Sequence, residues 1–269
     1  MEKNKLNLGD FKHILTLEQE DLHHFLLGRL ASIYSMKDIY RLDGSFTYVK
    51  GEIPVLLCAH LDTVHTKAPT EARIFHDQEK NVMWSPDGIG GDDRCGVFSI
   101  LDILQKGYRP HILFSWNEEI GCHGSREFAA NAENYFGLDI QNALSEVNFA
   151  IQFDRKGFGE SVYYDLDSQE FEDYINSFGF KTELGSFTDI AVVCPEFGFA
   201  GVNLSAGYMD EHNLYERIYV DELYRTQEKV INILEDQMEN PYFFKYEEGL
   251  LGGYGYYGYG KNTYSAGYG

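Results

Sequence analysis

Hydrophobic positions along the chain recur with two periods. Residues 17 to 40, LEQEDLHHFLLGRLASIYSMKDIY, place Leu22, Phe25, Leu26, Leu30 and Ile33 over a polar face, which predicts an amphipathic helix. His23 and His24 read as surface residues of that helix. IPVLLCAHL (53–61) is a short apolar run and predicts a buried strand. HILFSWNEE (111–119), VNFAIQFDRKG (147–157), DIAVVC (189–194) and FAGVNLSAG (199–207) predict further core strands. Residues 93–108 predict a helix closing at Gly107, and residues 221–238 the last clear helix. Strands alternating with helices make an α/β domain, with a mixed, mostly parallel central sheet covered by helices on both faces. Ligands in such sheets sit beyond the carboxyl ends of the strands.

The pattern runs through residues 1–251 as one domain and then changes character. From Gly252 onward, GGYGYYGYGKNTYSAGYG is dominated by Gly and Tyr. Such a segment buries too little to offset its ordering entropy, so residues 252–269 are expected to be disordered. Asp and Glu outnumber Lys and Arg by 43 to 22, for a net charge of −21. That balance argues against a nucleic-acid or anionic-membrane partner, both of which demand clustered cations. Cys58, Cys95, Cys122 and Cys194 form no C-x-x-C pair and no disulfide framework. The chain shows neither a signal-peptide pattern nor a membrane-length apolar run, so a cytoplasmic location is expected.

Polar residues at the strand ends carry the chemistry. The run VLLCA ends in His60 and Asp62, which point to one face because strand side chains alternate. In DGIGGDDRCG, Gly88, Gly90 and Gly91 make a tight turn that sets Asp92 and Asp93 at a helix start. Glu118 and Glu119 are adjacent in NEEIGCHG, Asp154 ends its strand, and His212 follows in SAGYMDEHNLYE. Imidazole and carboxylate together suit zinc or a similar divalent ion. Two ions require a shared carboxylate, and one Asp between two ligand sets supplies it. Of two adjacent glutamates, one can bind metal while the other serves as general base.

The order H-x-D, G-D-D, E-E, D, H resembles that of the co-catalytic zinc exopeptidases, which include aminopeptidases, peptidase T, carboxypeptidases and deacylases. The resemblance covers about residues 52 to 222. It implies that His60, Asp92 and Asp154 hold one metal ion, and Asp92, Glu119 and His212 the other. It further implies Glu118 as base, Asp62 as the residue orienting His60, and a cis peptide between Asp92 and Asp93. Asp93 becomes the shared ligand if Asp92 is not. His65 and His123 take no part. Thr188 and Asp189 resemble a step that lines the substrate cleft in these relatives. The intervals 63–91 and 155–211 are too short for the extra domains that relatives insert there, so a catalytic domain without a lid is expected.

The expected function is a metallo-exopeptidase, an aminopeptidase by preference, using two divalent ions with zinc favoured. Its substrate would be a small peptide or amide, and a homo-oligomer is compatible with this reading. The α-amino group would fall to Asp189, Asp210 or Glu211. The alternative is an amidohydrolase or deacylase in which Arg155 holds a substrate carboxylate. An inactive binding module on the same fold ranks third. Because 252–269 contains none of these residues, its deletion should leave small-peptide turnover and melting temperature nearly unchanged. Loss of activity or a change of oligomeric state on deletion would make it an assembly element.

Overall fold

The computed structural model describes residues 8–246, so the Gly/Tyr-rich segment lies outside the described residues. Twelve strands and eight α-helices follow one another along these residues. The strands are β1 (Ile39–Leu42), β2 (Phe46–Val49), β3 (Ile53–His60), β4 (Phe75–Asp77), β5 (Val82–Trp84) and β6 (Pro110–Ser115). After these come β7 (Phe149–Arg155), β8 (Glu160–Val162), β9 (Lys181–Thr182), β10 (Ala200–Ser205), β11 (Tyr208–Met209) and β12 (Arg217–Tyr219). The helices are α1 (Leu8–Leu15), α2 (Gln19–Ala31), α3 (Gly91–Gln105) and α4 (His123–Phe136). The remaining four are α5 (Leu138–Leu144), α6 (Gln169–Ser177), α7 (Ile190–Phe197) and α8 (Val220–Glu239).

Eight strands form the central sheet in the order β1-β2-β6-β3-β7-β10-β8-β9. Its middle, β6-β3-β7-β10, is wholly parallel. The β1 and β2 strands pair antiparallel at one edge, and β8 runs antiparallel to β10 near the other. The mixed, mostly parallel α/β architecture is therefore the observed one. Alternation along β3 shows why both faces are covered. Val55, Leu57 and Ala59 join a core with Phe11, Leu22, Phe98 and Ile233, whereas Leu56 and Cys58 join another with Phe128, Ile140 and Ile190. Thus α1, α2, α3 and α8 pack on one face, and α4, α5 and α7 on the other. A smaller sheet, β11-β12-β5-β4, stands beside them.

Three expectations change. DIAVVC is not a strand but the start of α7, which buries Ile190, Val193 and Cys194 at helical spacing and stops at Gly198 (φ 77°). The helix expected over 17–40 ends at Ala31, because Ile39 and Tyr40 pair with Val49 and Tyr48 instead. His23 is buried rather than on the surface. Its Nε2 lies 2.9 Å from Thr47 Oγ1, and its ring meets the edge of Trp116.

The end of β6 is pinned tightly. Trp116 N donates to Ser45 O at 2.9 Å, and Gly124 N donates back to Trp116 O at 2.9 Å, closing the loop that carries Glu118 and Glu119. A Cβ on Gly124 would lie 2.1 Å from Ser45 O and 2.5 Å from Trp116 N. Gly124→Ala should therefore destabilise the protein by about 1–3 kcal/mol in urea unfolding, the usual cost of overpacking. An unchanged midpoint would show that this corner yields freely.

Candidate functional site

Three of the four central parallel strands deliver their carboxyl ends to one place. His60 ends β3, Asp154 lies at the end of β7, and the connection after β6 carries Glu118 and Glu119. Gly88 (φ 87°) and Gly90 (φ 66°) turn the chain into α3, and Asp92 and Asp93 at its start keep non-helical backbone angles. The Asp92–Asp93 peptide is cis, as the resemblance implied. His212 sits on the connection between β11 and β12 with φ 63°, a left-handed conformation uncommon outside glycine.

Distances tie these residues together. Asp92 places Oδ1 3.0 Å from His60 Nε2 and Oδ2 3.1 Å from His212 Nε2, so one carboxylate spans both imidazoles. His60 Nε2 is also 3.4 Å from Asp154 Oδ1, and His212 Nε2 is 3.2 Å from Glu119 Oε2. On its other side, His60 Nδ1 lies 3.2 Å from Asp62 Oδ1. The Asp62 carboxylate also accepts the backbone N–H groups of Glu118 (2.9 Å) and Glu119 (3.0 Å), joining the β3 end to the glutamate loop. All seven residues singled out from the sequence thus meet in one cluster.

Ligand atoms of His60, Asp92 and Glu119 lie within 4.8 Å of one another, as do those of His60, Asp93 and Asp154. Asp93 is otherwise engaged, however. Its Oδ2 accepts His60 N at 3.2 Å and its Oδ1 accepts Gly96 N at 2.9 Å, tying the turn to β3. Glu119 Oε1 is buried and has no hydrogen-bond partner among the described residues. A donor set of two imidazoles and several carboxylates, with such an oxygen left over, fits divalent cations.

The charges point the same way. Burial, with neighbouring carboxylates, pushes Glu118 up to about 8 and Glu119 and Asp154 up to about 7. Burial also opposes charge on Asp92, but hydrogen bonds from His212 and His60 hold its carboxyl well below the ordinary range. The hydrogen bond to Asp92 raises half-exposed His212 to about 9.

A supporting layer surrounds the cluster, in which Thr188, expected to line a cleft, instead holds Asp154, and Tyr208, Asn203 and Glu216 escaped the sequence reading. Thr188 Oγ1 donates to Asp154 Oδ2 at 2.7 Å, and Tyr208 Oη to Asp154 Oδ1 at 3.2 Å. Asn203 receives Asp154 N at 2.8 Å. Glu216, buried, accepts from Gly90 N and Asp92 N. Asp189 does not face a cleft: it is buried and accepts from Ser115 Oγ. His123 begins α4, and His65 contacts Glu216 rather than the clustered acids.

The model of peptidase family M28 matches residues 42–191, more than half of the chain and all of the clustered residues except His212. The chain belongs to peptidase family M28. Among solved structures, this M28 chain resembles a tripeptidase from Staphylococcus aureus at 12% identity, covering 86% of this chain and 99% of that one, TM-score 0.65. It also resembles aminopeptidase PepT from Bacillus cereus at 12% identity, covering 85% and 97%, TM-score 0.62. A TET1 peptidase of Pyrococcus horikoshii follows at 13% identity, covering 80% and 94%, TM-score 0.56. Identities this low show a shared fold. No curated protein matches the chain. No helix among the described residues is long and apolar enough to cross a membrane.

The metal-free M28 protein should lose stability as pH rises. Glu118, Glu119, Asp154 and His212 are all raised in the folded chain above their unfolded values of about 4.3 for Glu, 3.9 for Asp and 6.5 for His. Each therefore contributes stability at low pH that is lost as pH passes its folded value. In chelator, the melting temperature should fall between about pH 5 and 9. Saturating zinc should raise it and remove or reverse that slope, since cations displace those protons. Superimposable profiles with chelator and with zinc would exclude a metal site here.

Proposed function

We propose that this M28 protein is an exopeptidase of aminopeptidase type acting on small peptides. His60 and Asp154 would hold one divalent ion, Glu119 and His212 the other, and Asp92 would be shared by both. The observation carrying this reading is the Asp92 carboxylate, with one oxygen 3.0 Å from His60 and the other 3.1 Å from His212. Asp93, bound by two backbone N–H groups, has no such freedom. Two bound ions, with zinc favoured, would polarise the scissile carbonyl and make water nucleophilic near neutral pH.

The chain's own residues do the rest. Glu118 takes the proton of the attacking water and returns it to the leaving amine nitrogen. In the metal-free chain burial favours its protonated carboxyl, and bound cations nearby would favour the carboxylate that accepts the proton. Asp62 fixes the ring of His60 through Nδ1 and, by binding the Glu118 and Glu119 N–H groups, sets the base and a ligand in register. Of the three acids considered for the α-amino group, Asp189 is buried and Glu211 pairs with Lys156 at 2.6 Å. Asp210 is exposed and remains the best supported.

The deacylase alternative has less support, since Arg155 lies 3.3 Å from Glu160 Oε2 rather than reaching into the cluster. The inactive module has less still, because the residues proposed as ligands and base lie together. The four cysteines are free and buried, consistent with a reducing cytoplasm. The Pyrococcus TET1 peptidase can assemble into a tetrahedron or an octahedral shell, and a homo-oligomer is proposed here on that likeness.

Glu118→Gln should keep its metal and lose turnover on amino-acid p-nitroanilides by about 10²–10⁴-fold. Loss of metal from this variant would reverse the roles of Glu118 and Glu119. N-acyl amino acids assayed alongside should be poor substrates for the unmodified protein, and preference for them would favour the deacylase.

A further inference from the structure

Regular helical angles in α3 start only at Arg94, where Asp93 Oδ1 caps the helix by accepting Gly96 N, and the turn ahead of it has no capping side chain of its own. Gly90 opens that turn and offers no side-chain hydrogen bond, while Asp92 and Asp93 depart from helical angles. The buried N–H groups of that turn need acceptors from elsewhere. Here the acceptor comes from 124 residues away: Glu216 Oε1 accepts Asp92 N at 2.9 Å and Oε2 accepts Gly90 N at 2.9 Å. The Glu216 side chain is only 1% exposed, and His65 Nε2 lies 3.4 Å from Oε2. The approach is close enough that Gly91 has no room for a side chain. A Cβ there would lie 3.0 Å from Glu216 Oε1 and 2.9 Å from Ile218 Cγ1.

Glu216 is held where β12 begins, and β12 pairs with β11 on one side and β5 on the other. The β11–β12 connection carries His212 as well. One hairpin therefore grips Asp92 twice, by its backbone through Glu216 and by its carboxylate through His212. This also gives the small sheet a purpose, since it keeps both contacts at fixed spacing.

We propose that Glu216 is a positioning residue that aims the Asp92 carboxylate between the two proposed metal positions. The inference rests on the two-metal reading of the site. Glu216 touches neither metal nor substrate, and acts by fixing the turn 88–92 from which Asp92 projects.

The test measures zinc dissociation constants by chelator competition, with metal-free melting temperatures recorded beside them. Glu216→Gln keeps the size and one oxygen but replaces the other acceptor with an NH₂ donor. Removing an outer support of a metal ligand typically costs about 10–100-fold in affinity, and zinc binding should weaken by that factor. The gap between zinc-saturated and metal-free melting temperatures should shrink accordingly. A variant that binds zinc as tightly as the unmodified protein, whatever its melting temperature, would reduce Glu216 to a structural brace of the turn and overturn the proposal. Gly91→Ala, which pushes on the same carboxylate from the other side, should weaken zinc in the same direction and decides the matter if Glu216→Gln does not fold. An unmodified protein that binds no zinc would overturn the two-metal reading itself, and the proposal with it.

Discussion

Six carboxylates crowd around the end of one strand, and the structure depends on how their charge is met. Asp62, Asp92, Asp93, Asp154, Glu118 and Glu119 lie buried or half-buried about His60. Like charges at such spacing in a region of low dielectric cannot all ionise unless cations or protons answer them. The chain supplies few cations of its own here. Arg94, buried next to the cluster in sequence, donates to the carbonyls of Leu61 and Leu17 instead of to a carboxylate. Two imidazoles and several backbone N–H groups meet part of the demand, and divalent ions would meet the remainder.

The surrounding architecture serves that concentration of charge. Parallel strands aligned by a core on each face bring His60, Ser115 and Asp154 to a common edge. Ser115 then anchors Asp189, Thr188 holds Asp154, and Asp62 joins β3 to the glutamate loop. Each carboxylate is oriented by at least one neighbour, so a bound ion would meet a preformed set of donors. No inserted domain covers the site between residues 63 and 91 or between 155 and 211. His212 stays half-exposed in the single chain.

Much of this was legible in the sequence, for identifiable reasons. The run Val55–Ala59 is apolar because both faces of β3 are buried, so the polar His60 and Asp62 stand out at its end. Gly88 and Gly90 marked a turn because only such residues take left-handed angles cheaply. DIAVVC misled because a short β-branched run fits either a buried strand or one face of a helix. The two- and three-residue strands β4, β5, β11 and β12 are shorter than any periodicity can register. Glu216, Tyr208 and Asn203 belong to no local motif. Their roles arise only when the fold brings distant segments together, and no spacing rule reaches from Asp92 to Glu216.

The proposed chemistry requires one Asp92 carboxylate to be shared by two metal ions. Anomalous diffraction at the zinc edge from crystals grown with zinc tests it most directly. Two peaks about a few ångströms apart are expected, one beside His60 and Asp154, the other beside Glu119 and His212, with Asp92 contacting both. No peak in this cluster, a single peak, or a pair bridged by Asp93 would contradict it.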